Sequence, residues 1–560
     1  SAWIVLAVVL ALRFIHFASA LHSPLSYQLS PDENFYLRFA QAVAGGTGGS
    51  TVEFAFLDPV YGYIAGFVFR LAGENLFAVY VLQILLDTFT AFCLILIGRE
   101  LKRPRAGLLA ALIYGITVTA LLFCTTLLKT VWVANFMTVW VLAALVLLRR
   151  PRAYGWVLFG ILCGYGIALR STLALMTLLA LVLLPWLHVT WKGRSVMETL
   201  RGMGLLLLGL ALPLALLTLR NHRAAGVQSP LTNNGGVVLH MHYNPDNPTG
   251  RTWIPSFVSY FHPSAIQRGY TPAAETRLGR TLTPLDVDAY WRGQAIDYIR
   301  SNPLAAARSI AGKFAQFVAY PEIPNNRSLA DERLFSPMLR ILPSPFGWLF
   351  ALGVPGLVLW LTRDRRAWLA FAPIATVVVT VTVFVAIDRY RFQAVPIFAL
   401  GAGLFLDALA EYIGQDRIRP AALLLAAAAA LGTASVLLAH PLRPPPPRLD
   451  KAVWGYIRMG DIGAAKQAGL KAAATQPNNY RLFEALAYIA AEEKDYAGAA
   501  EHYRRTIRIK PDSHVAHFRL ARLLERMGRR DEAAAHAAAA VRIARQPEYE
   551  ALLGELTAGK

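Results

Sequence analysis

The chain carries little charge and little cysteine for its length. Only 16% of its 560 residues are charged, whereas 56% are hydrophobic. A soluble protein of this size needs a more strongly charged surface, so the composition argues against a soluble enzyme and indicates a polytopic membrane protein. The three cysteines lie in apolar segments without metal-ligand spacing, which makes a disulfide framework a poor explanation for them.

Motifs typical of soluble enzymes are also missing. The sequence has no P-loop, no dinucleotide-binding glycine fingerprint and no paired-cysteine zinc pattern. The formal net charge of +20 is not concentrated in a compact basic domain, so nucleic acid is not a predicted partner. Basic residues sort to cytoplasmic loops, and some of them can serve an anionic, phosphate-bearing substrate.

Apolar stretches of bilayer-spanning length recur through the first 440 residues and predict about eleven transmembrane helices. The stretches are residues 2–21, 76–98, 107–125, 130–148, 155–170, 172–188, 203–219, 345–361, 367–387, 392–410 and 420–439. The alternative for the first stretch is a cleaved signal peptide, because residues 18–20 resemble a cleavage site, but its length favours a retained helix.

Clustered basic residues predict the orientation of these helices. They occupy the connections at residues 98–107, 148–155, 191–202, 361–368 and 415–420, which are all cytoplasmic if the N-terminus is inside. The loops 22–74 and 221–343, and the C-terminal tail, then lie outside. A transmembrane domain is therefore predicted over residues 1–440.

The C-terminal part changes character and shows an internal repeat. A proline-rich linker at 441–448 precedes an alanine-rich, charged segment at 449–560. Gly460, Lys494 and Gly528 recur with a period of 34 residues, as do Ala465, Ala499 and Ala533. This pattern predicts tetratricopeptide repeats, an α-solenoid whose surface binds a protein partner or positions a substrate.

Polar groups converge on the predicted outer face. Adjacent carboxylates, Asp32 and Glu33, follow the first span in the sequence PDENFYLRFA, residues 31–40. The outer loops and helix ends also contribute Tyr36, Asp58, Tyr61, Lys129, Arg170, Asn221, Glu322, Asn325, Asp388, Arg389 and Arg391. Cations beside the bilayer suit a phosphate, and a carboxylate next to them suits deprotonation of an attacking hydroxyl. For any single arginine, a snorkelling interface residue is the alternative.

A metal site receives weaker support. Residues 240–242, His-Met-His, would place two imidazoles on one face of a strand, close to the outer acids. A divalent cation held by His16, His22, His240 or His242 together with the acids is therefore kept as an alternative.

These segments resemble a known family, the polyprenyl-phosphate-sugar-dependent glycosyltransferases of the C-type superfamily, and especially their bacterial protein-mannosyltransferase and aminoarabinose-transferase branches. The similarity is carried by PDENFYLRFA, LDPVYGYIAGFVFRLAGEN, FGILCGYGIALR, LRNHRAAG, NNGGVVLHMHYNPDNPTG, GRTLTPLDVDAYWRGQAIDYIRSNP, KFAQFVAYPEIPNN and DRYRFQAVPIFALGAG. It covers essentially residues 1–440. A tetratricopeptide tail also occurs in some bacterial members.

The resemblance implies a fold, an activity and residue roles. It implies a periplasmic active site in the inner membrane, with Asp32 as the catalytic base and Glu33 orienting it or holding the acceptor. Lys129, Arg389 and Arg391, with Arg170, would bind the donor phosphate. The substrate pocket would use Tyr36, Asp58, Tyr61, Asn221, Asn234, His240, Asn244, Glu322 and Asn325. Many relatives have an acid at the position of Lys129, which favours a phosphate role for this lysine.

The expected reaction is the transfer of a sugar from a polyprenyl-phosphate donor to a hydroxyl on a protein, glycolipid or envelope polymer. One alternative is a lipid-linked polysaccharide polymerase or ligase. Another is a transporter or scaffold that recruits envelope proteins through its repeats. A transporter predicts charges near the bilayer midplane and duplicated halves, whereas these charges lie at the ends of spans.

Overall fold

The computed structural model describes residues 2–48, 57–247, 253–258, 263–342, 346–439 and 447–558. Within these ranges the regular structure is helical and contains no strand. The chain divides into two compact units, which we call the membrane unit (Ser1–Ser19 with Ser30–Pro445) and the repeat unit (Ala20–Leu29 with Pro446–Lys560). Most of the predicted linker, residues 441–446, lies outside the described ranges.

The helices of the chain up to residue 439 are numbered α1 to α22. They are α1 Ala2–Leu21, α2 Pro24–Tyr27, α3 Pro31–Ala44, α4 Val60–Ala72, α5 Leu76–Glu100, α6 Pro104–Gly115, α7 Val118–Cys124, α8 Thr130–Arg149, α9 Ala153–Leu169, α10 Ala174–Thr190, α11 Val196–Ala225, α12 Gly235–His242, α13 Pro263–Leu278, α14 Pro284–Ser301, α15 Pro303–Val318, α16 Leu329–Glu332, α17 Pro337–Ile341, α18 Phe346–Arg363, α19 Trp368–Val383, α20 Asp388–Arg391, α21 Val395–Gly414 and α22 Ile418–Ala439. Short 3₁₀ turns precede α10, α19 and α21 at Ser171–Leu173, Arg365–Ala367 and Phe392–Ala394.

The α-helical, polytopic class is confirmed. In the described part of the chain, nine helices are long and apolar enough to cross a membrane. The predicted span 107–125 is instead two helices, α6 and α7, that meet at an angle of 62°. The predicted span 155–170 corresponds to α9, an apolar helix of 17 residues. If the bent pair and α9 each cross once, the count reaches the eleven that the sequence predicts.

Small residues allow the spanning helices to approach closely. A Cβ atom on Gly160 of α9 would lie 2.0 Å from the Leu206 carbonyl oxygen of α11, and one on Gly209 would lie 2.1 Å from that of Val157. Packing of this kind is typical of helix pairs in membranes, where close backbone contact replaces the hydrophobic driving force. The glycines therefore fix the α9–α11 crossing.

The two ends of the membrane unit differ in their charged groups. Arg103 donates to Glu411 at 2.6 Å and Arg149 pairs with Glu100 at 2.9 Å, at the C-terminal ends of α5, α8 and α21. The N-terminal ends of α8 and α21 instead follow Lys129 and Arg389. The basic connections that predict the orientation therefore lie at the end of these helices remote from the cations singled out for phosphate binding.

The repeat unit contains seven further helices, numbered α23 to α29. They are α23 Leu449–Arg458, α24 Ile462–Thr475, α25 Tyr480–Glu492, α26 Tyr496–Ile509, α27 His514–Arg526, α28 Arg530–Ile543 and α29 Pro547–Thr557. Consecutive helices pack in pairs, and Ala465, Ala499 and Ala533 are fully buried between them.

The turn inside each repeat requires a residue whose backbone adopts the left-handed conformation. Gly460, Lys494 and Gly528 end the first helix of the three pairs, with φ values of 80°, 64° and 74°. Glycine adopts this conformation without steric cost, whereas lysine does not. The period that the sequence shows therefore corresponds to a repeated backbone geometry, with one unfavourable residue in the middle repeat.

An N-terminal segment completes the repeat unit. Helix α2 packs on α23, where the Pro24 carbonyl oxygen would lie 2.1 Å from a Cβ atom on Gly455. Any side chain at position 455 would displace this segment. The repeat unit is therefore built from two parts of the sequence.

Candidate active site

A cavity of about 570 Å³ opens in the membrane unit. It is bounded by α3, by the ends of α8, α9 and α19, and by the outer helices α12 and α14. Its lining includes three carboxylates and four permanent cations, which are Asp32, Asp58, Asp288, Lys129, Arg170, Arg292 and Arg389. The cations thus exceed the carboxylates by one.

Asp32 enters the cavity from the first turn of α3. Ser30 and Glu33 form a capping box around this turn, and Pro31 occupies the first helical position. The Asp32 Oδ2 atom accepts hydrogen bonds from Arg389 Nη1 at 2.6 Å and from Asn326 Nδ2 at 2.8 Å. Burial alone would raise the pKa of the Asp32 carboxyl, but Arg389, the Asn326 amide and Lys129 hold this pKa below its usual range. Asp32 is therefore ionised at neutral pH.

Lys129 and Asp58 form an ion pair on another wall of the cavity. The Asp58 Oδ1 atom also accepts hydrogen bonds from the Ser171 backbone N–H at 3.0 Å and from Ser171 Oγ at 2.5 Å. Burial disfavours the charged form of Lys129, but the neighbouring Asp58 outweighs it and raises the pKa of the lysine. Lys129 therefore stays protonated although it is largely buried.

Arg170 and Arg389 flank the Tyr390 ring. The Arg170 guanidinium carbon lies 3.9 Å from the ring centroid, and Arg170 Nε donates to Thr172 Oγ1 at 3.0 Å. Among the groups that the structure describes, the buried Arg389 Nε has no hydrogen-bond acceptor. A buried N–H without a partner is costly, so this atom is ready to donate to an anion in the cavity.

The outer helices close the cavity on the other side. Asn234 lies at the start of α12, and Asp288 of α14 accepts a hydrogen bond from the Gly236 N–H at 2.5 Å while pairing with Arg292. Asn325 also lines the cavity, and its Oδ1 atom is buried with no hydrogen-bond donor within the described ranges. This wall therefore presents hydrogen-bonding groups to the cavity.

Glu33 does not line the cavity. Its side chain is 0% exposed and is held by Arg327, whose Nη2 and Nε donate to it at distances between 2.9 and 3.2 Å. It also accepts from the backbone N–H groups of Ser30 at 2.9 Å and Leu127 at 3.2 Å. Direct contact of Glu33 with a substrate is therefore not supported, because its oxygens are occupied in the protein interior.

Arg391 and Glu322 are likewise turned away from the cavity. Arg391 donates to Glu322 Oε2 at 2.6 Å and to the carbonyl oxygens of Ala319 and Pro321 at 2.7 Å each, and its guanidinium carbon lies 4.0 Å from the Phe346 ring centroid. These contacts occupy Nη1 and Nη2, whereas the buried Nε has no acceptor among the described residues, and Arg391 is not part of the cavity lining. A phosphate role for Arg391 is thus not supported, whereas Arg389, two residues earlier, faces the cavity.

Two of the predicted pocket residues are structural tethers near the membrane helices. The Tyr61 hydroxyl donates to Gln83 Oε1 at 3.0 Å, behind the ring of Tyr36, which itself lines the cavity. Asn221 Nδ2 donates to the Ser229 carbonyl oxygen at 2.8 Å.

Two more predicted pocket residues lie in the core of the outer helices. The His240 ring lies 4.4 Å from that of Trp291, and burial, followed by the charge of Arg277, lowers the pKa of His240 to about 4. Asn244 Nδ2 donates to the His240 carbonyl oxygen at 2.6 Å. His240 is therefore a neutral core residue.

The strand assigned to the His-Met-His segment is wrong, because residues 240–242 form the last turn of α12. His240 and His242 consequently point in different directions, and His242 alone lines the cavity. Within the described ranges, no group of three or more His, Cys, Asp or Glu side chains is arranged to hold a metal ion.

Sequence reasoning missed several residues of the site. Ser171, Tyr390 and Asn326 contact Asp58, Arg170 and Asp32 respectively. Each stands next to a residue that the sequence singles out, so their position beside a cation or an asparagine was the available signal. The capping-box pattern of Ser30-Pro31-Asp32-Glu33 was a further signal, because it assigns Glu33 to the helix terminus.

Two segments of the chain match known families. Residues 58–217 match the family profile of dolichyl-phosphate-mannose-protein mannosyltransferase, and residues 490–556 match a tetratricopeptide repeat. The undecaprenyl phosphate-alpha-4-amino-4-deoxy-L-arabinose arabinosyl transferases of Pseudomonas aeruginosa UCBPP-PA14 and of Pseudomonas paraeruginosa PA7 are each 32% identical to this chain over 186 residues. The predicted family resemblance is confirmed.

The extent of these similarities is limited. The matched segment covers 29% of this chain and 31% of each curated relative. Among solved structures, the Archaeoglobus fulgidus oligosaccharyltransferase AglB, in complex with an inhibitory peptide and a dolichol-phosphate, is 12% identical and covers 80% of this chain and 57% of its own, with a TM-score of 0.41. The apo form of the Archaeoglobus fulgidus oligosaccharyltransferase gives a TM-score of 0.40.

Proposed function

We propose that the protein is an integral membrane glycosyltransferase that moves a sugar from a polyprenyl-phosphate donor to a hydroxyl acceptor. The observation that carries this proposal is the ionised Asp32 carboxylate, which shares one cavity with Lys129, Arg170 and Arg389. A carboxylate can take a proton from an attacking hydroxyl, and the cations can stabilise a phosphate as it leaves.

The proposed reaction conserves charge within the cavity. Asp32 accepts the proton of the acceptor hydroxyl as its oxygen attacks the anomeric carbon, and the bond between that carbon and the phosphate oxygen breaks. The leaving polyprenyl phosphate gains the negative charge that Asp32 loses. In-line displacement of this kind inverts the anomeric configuration. The two hydrogen bonds to Asp32 both use Oδ2, which leaves Oδ1 available for the proton.

Arg389 connects the two halves of this reaction. It pairs with Asp32 before proton transfer, and its buried Nε lacks an acceptor among the described residues. Once Asp32 is neutral, the charge of Arg389 is no longer compensated there, so its attraction to the leaving phosphate increases. Lys129 and Arg170 would contribute as well, since both line the cavity.

The charge of the cavity favours a donor with a single phosphate. Among the described residues that line it, four cations exceed three carboxylates by one. A sugar phosphodiester carries one negative charge, whereas a pyrophosphate-linked donor, as used by a polymerase or ligase of lipid-linked polysaccharide, carries two. The balance therefore supports the glycosyltransferase over that alternative.

We further propose that the protein lies in a bacterial inner membrane with the cavity and the repeats on the periplasmic side. The clustered basic connections, which sort to the cytoplasm, lie at the ends of α5, α8 and α21 opposite Lys129 and Arg389. The acceptor is a protein, glycolipid or envelope polymer, and the repeat unit would bind a protein partner or present that acceptor.

A transfer assay tests the activity. Purified wild type, Asp32→Asn and the control Asp407→Asn, which alters a carboxylate at the other end of α21, would be incubated with a panel of radiolabelled polyprenyl-phosphate sugars. We expect transfer by wild type and control, and a loss of about 10²–10⁴-fold in Asp32→Asn with donor binding retained. Equal rates in all three would exclude Asp32 as the base, and no transfer from any donor would exclude the activity.

A further inference from the structure

A short segment between α15 and α16 contacts both elements that carry the Asp32–Arg389 pair. We call residues 321–327 the bridging segment; its sequence is Pro-Glu-Ile-Pro-Asn-Asn-Arg. Its first half is attached to α20. The Glu322 carboxylate accepts from Arg391 Nη2 at 2.6 Å, and the Ile323 carbonyl oxygen accepts from the Asp388 N–H at 2.9 Å. These contacts fix the residues on both sides of Arg389.

The second half of the bridging segment is attached to α3. Asn326 Nδ2 donates to Asp32 Oδ2 at 2.8 Å, and Arg327 donates to Glu33 through Nη2 at 2.9 Å and through Nε at 3.1 Å. Two adjacent residues of the segment therefore hold two adjacent residues of the helix. The Asp32 carboxylate is therefore held in two ways: by the hydrogen bond from Asn326 to its own oxygen, and by the contact of Arg327 with the next residue, Glu33.

The Arg327–Glu33 pair is a rigid anchor. The two side chains are 5% and 0% exposed, and Arg327 Nη1 also donates to Glu332 Oε1 at 3.0 Å. A planar guanidinium with several partners in a buried site has little freedom to reorient. Glu33 also accepts a hydrogen bond from the Leu127 N–H, two residues before Lys129. The Arg327–Glu33 pair therefore also contacts the backbone next to the lysine of the cavity.

We propose that Asn326 and Arg327 are positioning residues for the base, because the bridging segment sets the distance and orientation between Asp32 and Arg389. This inference rests on the proposed function of the cavity and adds residues to it. Neither side chain lines the cavity, so neither is expected to contact the donor. Their effect acts through Asp32, whose free oxygen must face the acceptor hydroxyl within a fraction of an ångström for efficient proton transfer.

The consequences of altering the two residues differ from those of losing a substrate contact. Removal of the Asn326 amide leaves Asp32 with one donor fewer, so its ionised form is less stabilised and the carboxylate can rotate. Replacement of Arg327 by lysine keeps the buried charge but removes the planar fork, which loosens the first turn of α3 without leaving Glu33 uncompensated. In both variants kcat should fall, and donor affinity should stay unchanged.

The test compares Asn326→Ala and Arg327→Lys with wild type and with Arg366→Lys as control. Arg366 is a largely buried arginine paired with Asp364 in the connection that leads into α19, so its replacement reports general destabilisation. We expect kcat to fall at least tenfold in the two variants, with donor Kd within twofold of wild type. In Asn326→Ala the acid limb of the kcat–pH profile should also move to higher pH.

Kinetics and hydrogen exchange separate the alternatives. A rise in donor Kd with unchanged kcat would mean that the segment binds donor, and unchanged kinetics in both variants would mean a structural role only; either result overturns the inference. Amide hydrogen exchange at residues 30–36 gives a second readout that does not require activity. Faster exchange in Arg327→Lys but not in Arg366→Lys supports positioning, and unchanged exchange contradicts it. If wild type transfers no sugar, the proposed function fails, while the exchange measurement still decides whether Arg327 orders the first turn of α3.

Discussion

Asp32 and Arg389, which are remote in the sequence, form an ion pair at 2.6 Å in the lining of the cavity in the membrane unit. The arginine keeps the carboxylate ionised although it is buried. A carboxylate base is active at pH values above its pKa. Its activity is lost only when the pH falls below that pKa and the carboxylate becomes protonated. The pair therefore sets the pH range in which the proposed enzyme works.

Replacement of Arg389 by glutamine should shift that range. Because burial then acts on Asp32 with less compensation, the pKa of Asp32 rises and the acid limb of kcat moves to higher pH. Wild type should show no acid limb above about pH 4, which is the ordinary range of an aspartate. A pH series of initial rates at saturating donor measures this, and superimposable wild-type and variant profiles would contradict it.

Replacement of Lys129 by methionine should weaken donor binding. A charge-assisted hydrogen bond to phosphate contributes about 1.5–3 kcal/mol, so a loss of roughly tenfold or more in affinity is expected. Lys129 also compensates Asp58, and the double variant Lys129→Met, Asp58→Asn controls for the unpaired acid. Titration of a labelled donor gives the Kd values, and an unaltered Kd in both variants would exclude the phosphate role.

Replacement of Arg391 by methionine should lower the stability of the protein and leave donor affinity unchanged. The guanidinium pairs with buried Glu322 and satisfies backbone carbonyl oxygens, so its loss should cost about 3–5 kcal/mol of stability. Donor affinity of the folded fraction should be unchanged because Arg391 does not line the cavity. Thermal unfolding and donor titration of Arg391→Met beside Arg389→Met distinguish the two arginines; weaker donor binding in Arg391→Met would restore its predicted phosphate role.

Replacement of Lys494 by glycine should stabilise the repeat unit. Lys494 has a φ of 64° at a turn where the other two repeats have glycine, and left-handed geometry costs a side-chain-bearing residue about 1 kcal/mol. Chemical unfolding of the full chain, followed by a probe in residues 449–558, measures the gain. Gly528→Ala is the matched control and should lower the free energy of unfolding by a similar amount. A lower free energy of unfolding in Lys494→Gly would show that contacts of the lysine side chain stabilise the turn by more than its left-handed backbone destabilises it.

Much of the architecture was predictable because its signals are periodic or long. Apolar runs give the spans, and a 34-residue period gives the repeats down to the turn positions 460, 494 and 528. The bend between α6 and α7 was not predictable from hydropathy, since residues 107–125 are apolar on both sides of it. An apolar run specifies that a segment is buried, and it does not specify that the segment is straight.

The site was predictable to the level of regions and less so to the level of side chains. Asp32, Lys129, Arg170 and Arg389, which line one cavity, were singled out because charged residues at the ends of apolar helices need a reason to be there. Arg391 was grouped with Arg389, although residues two apart on a helical turn point in nearly opposite directions. Asn326 lies beside Asn325, which the sequence singles out, but its long-range contact with Asp32 has no local pattern of its own.

The packing of α2 on α23 has a consequence for the order in which the chain acquires its structure. Residues 20–29 emerge from the ribosome early, yet the helix that covers them at Gly455 is made only after the whole membrane unit. Contacts between such distant parts of a sequence close late, because the intervening chain must first be ordered. Until then this segment has no partner within its own unit, so the contact between α2 and α23 forms only after residues 449–458 have been synthesised.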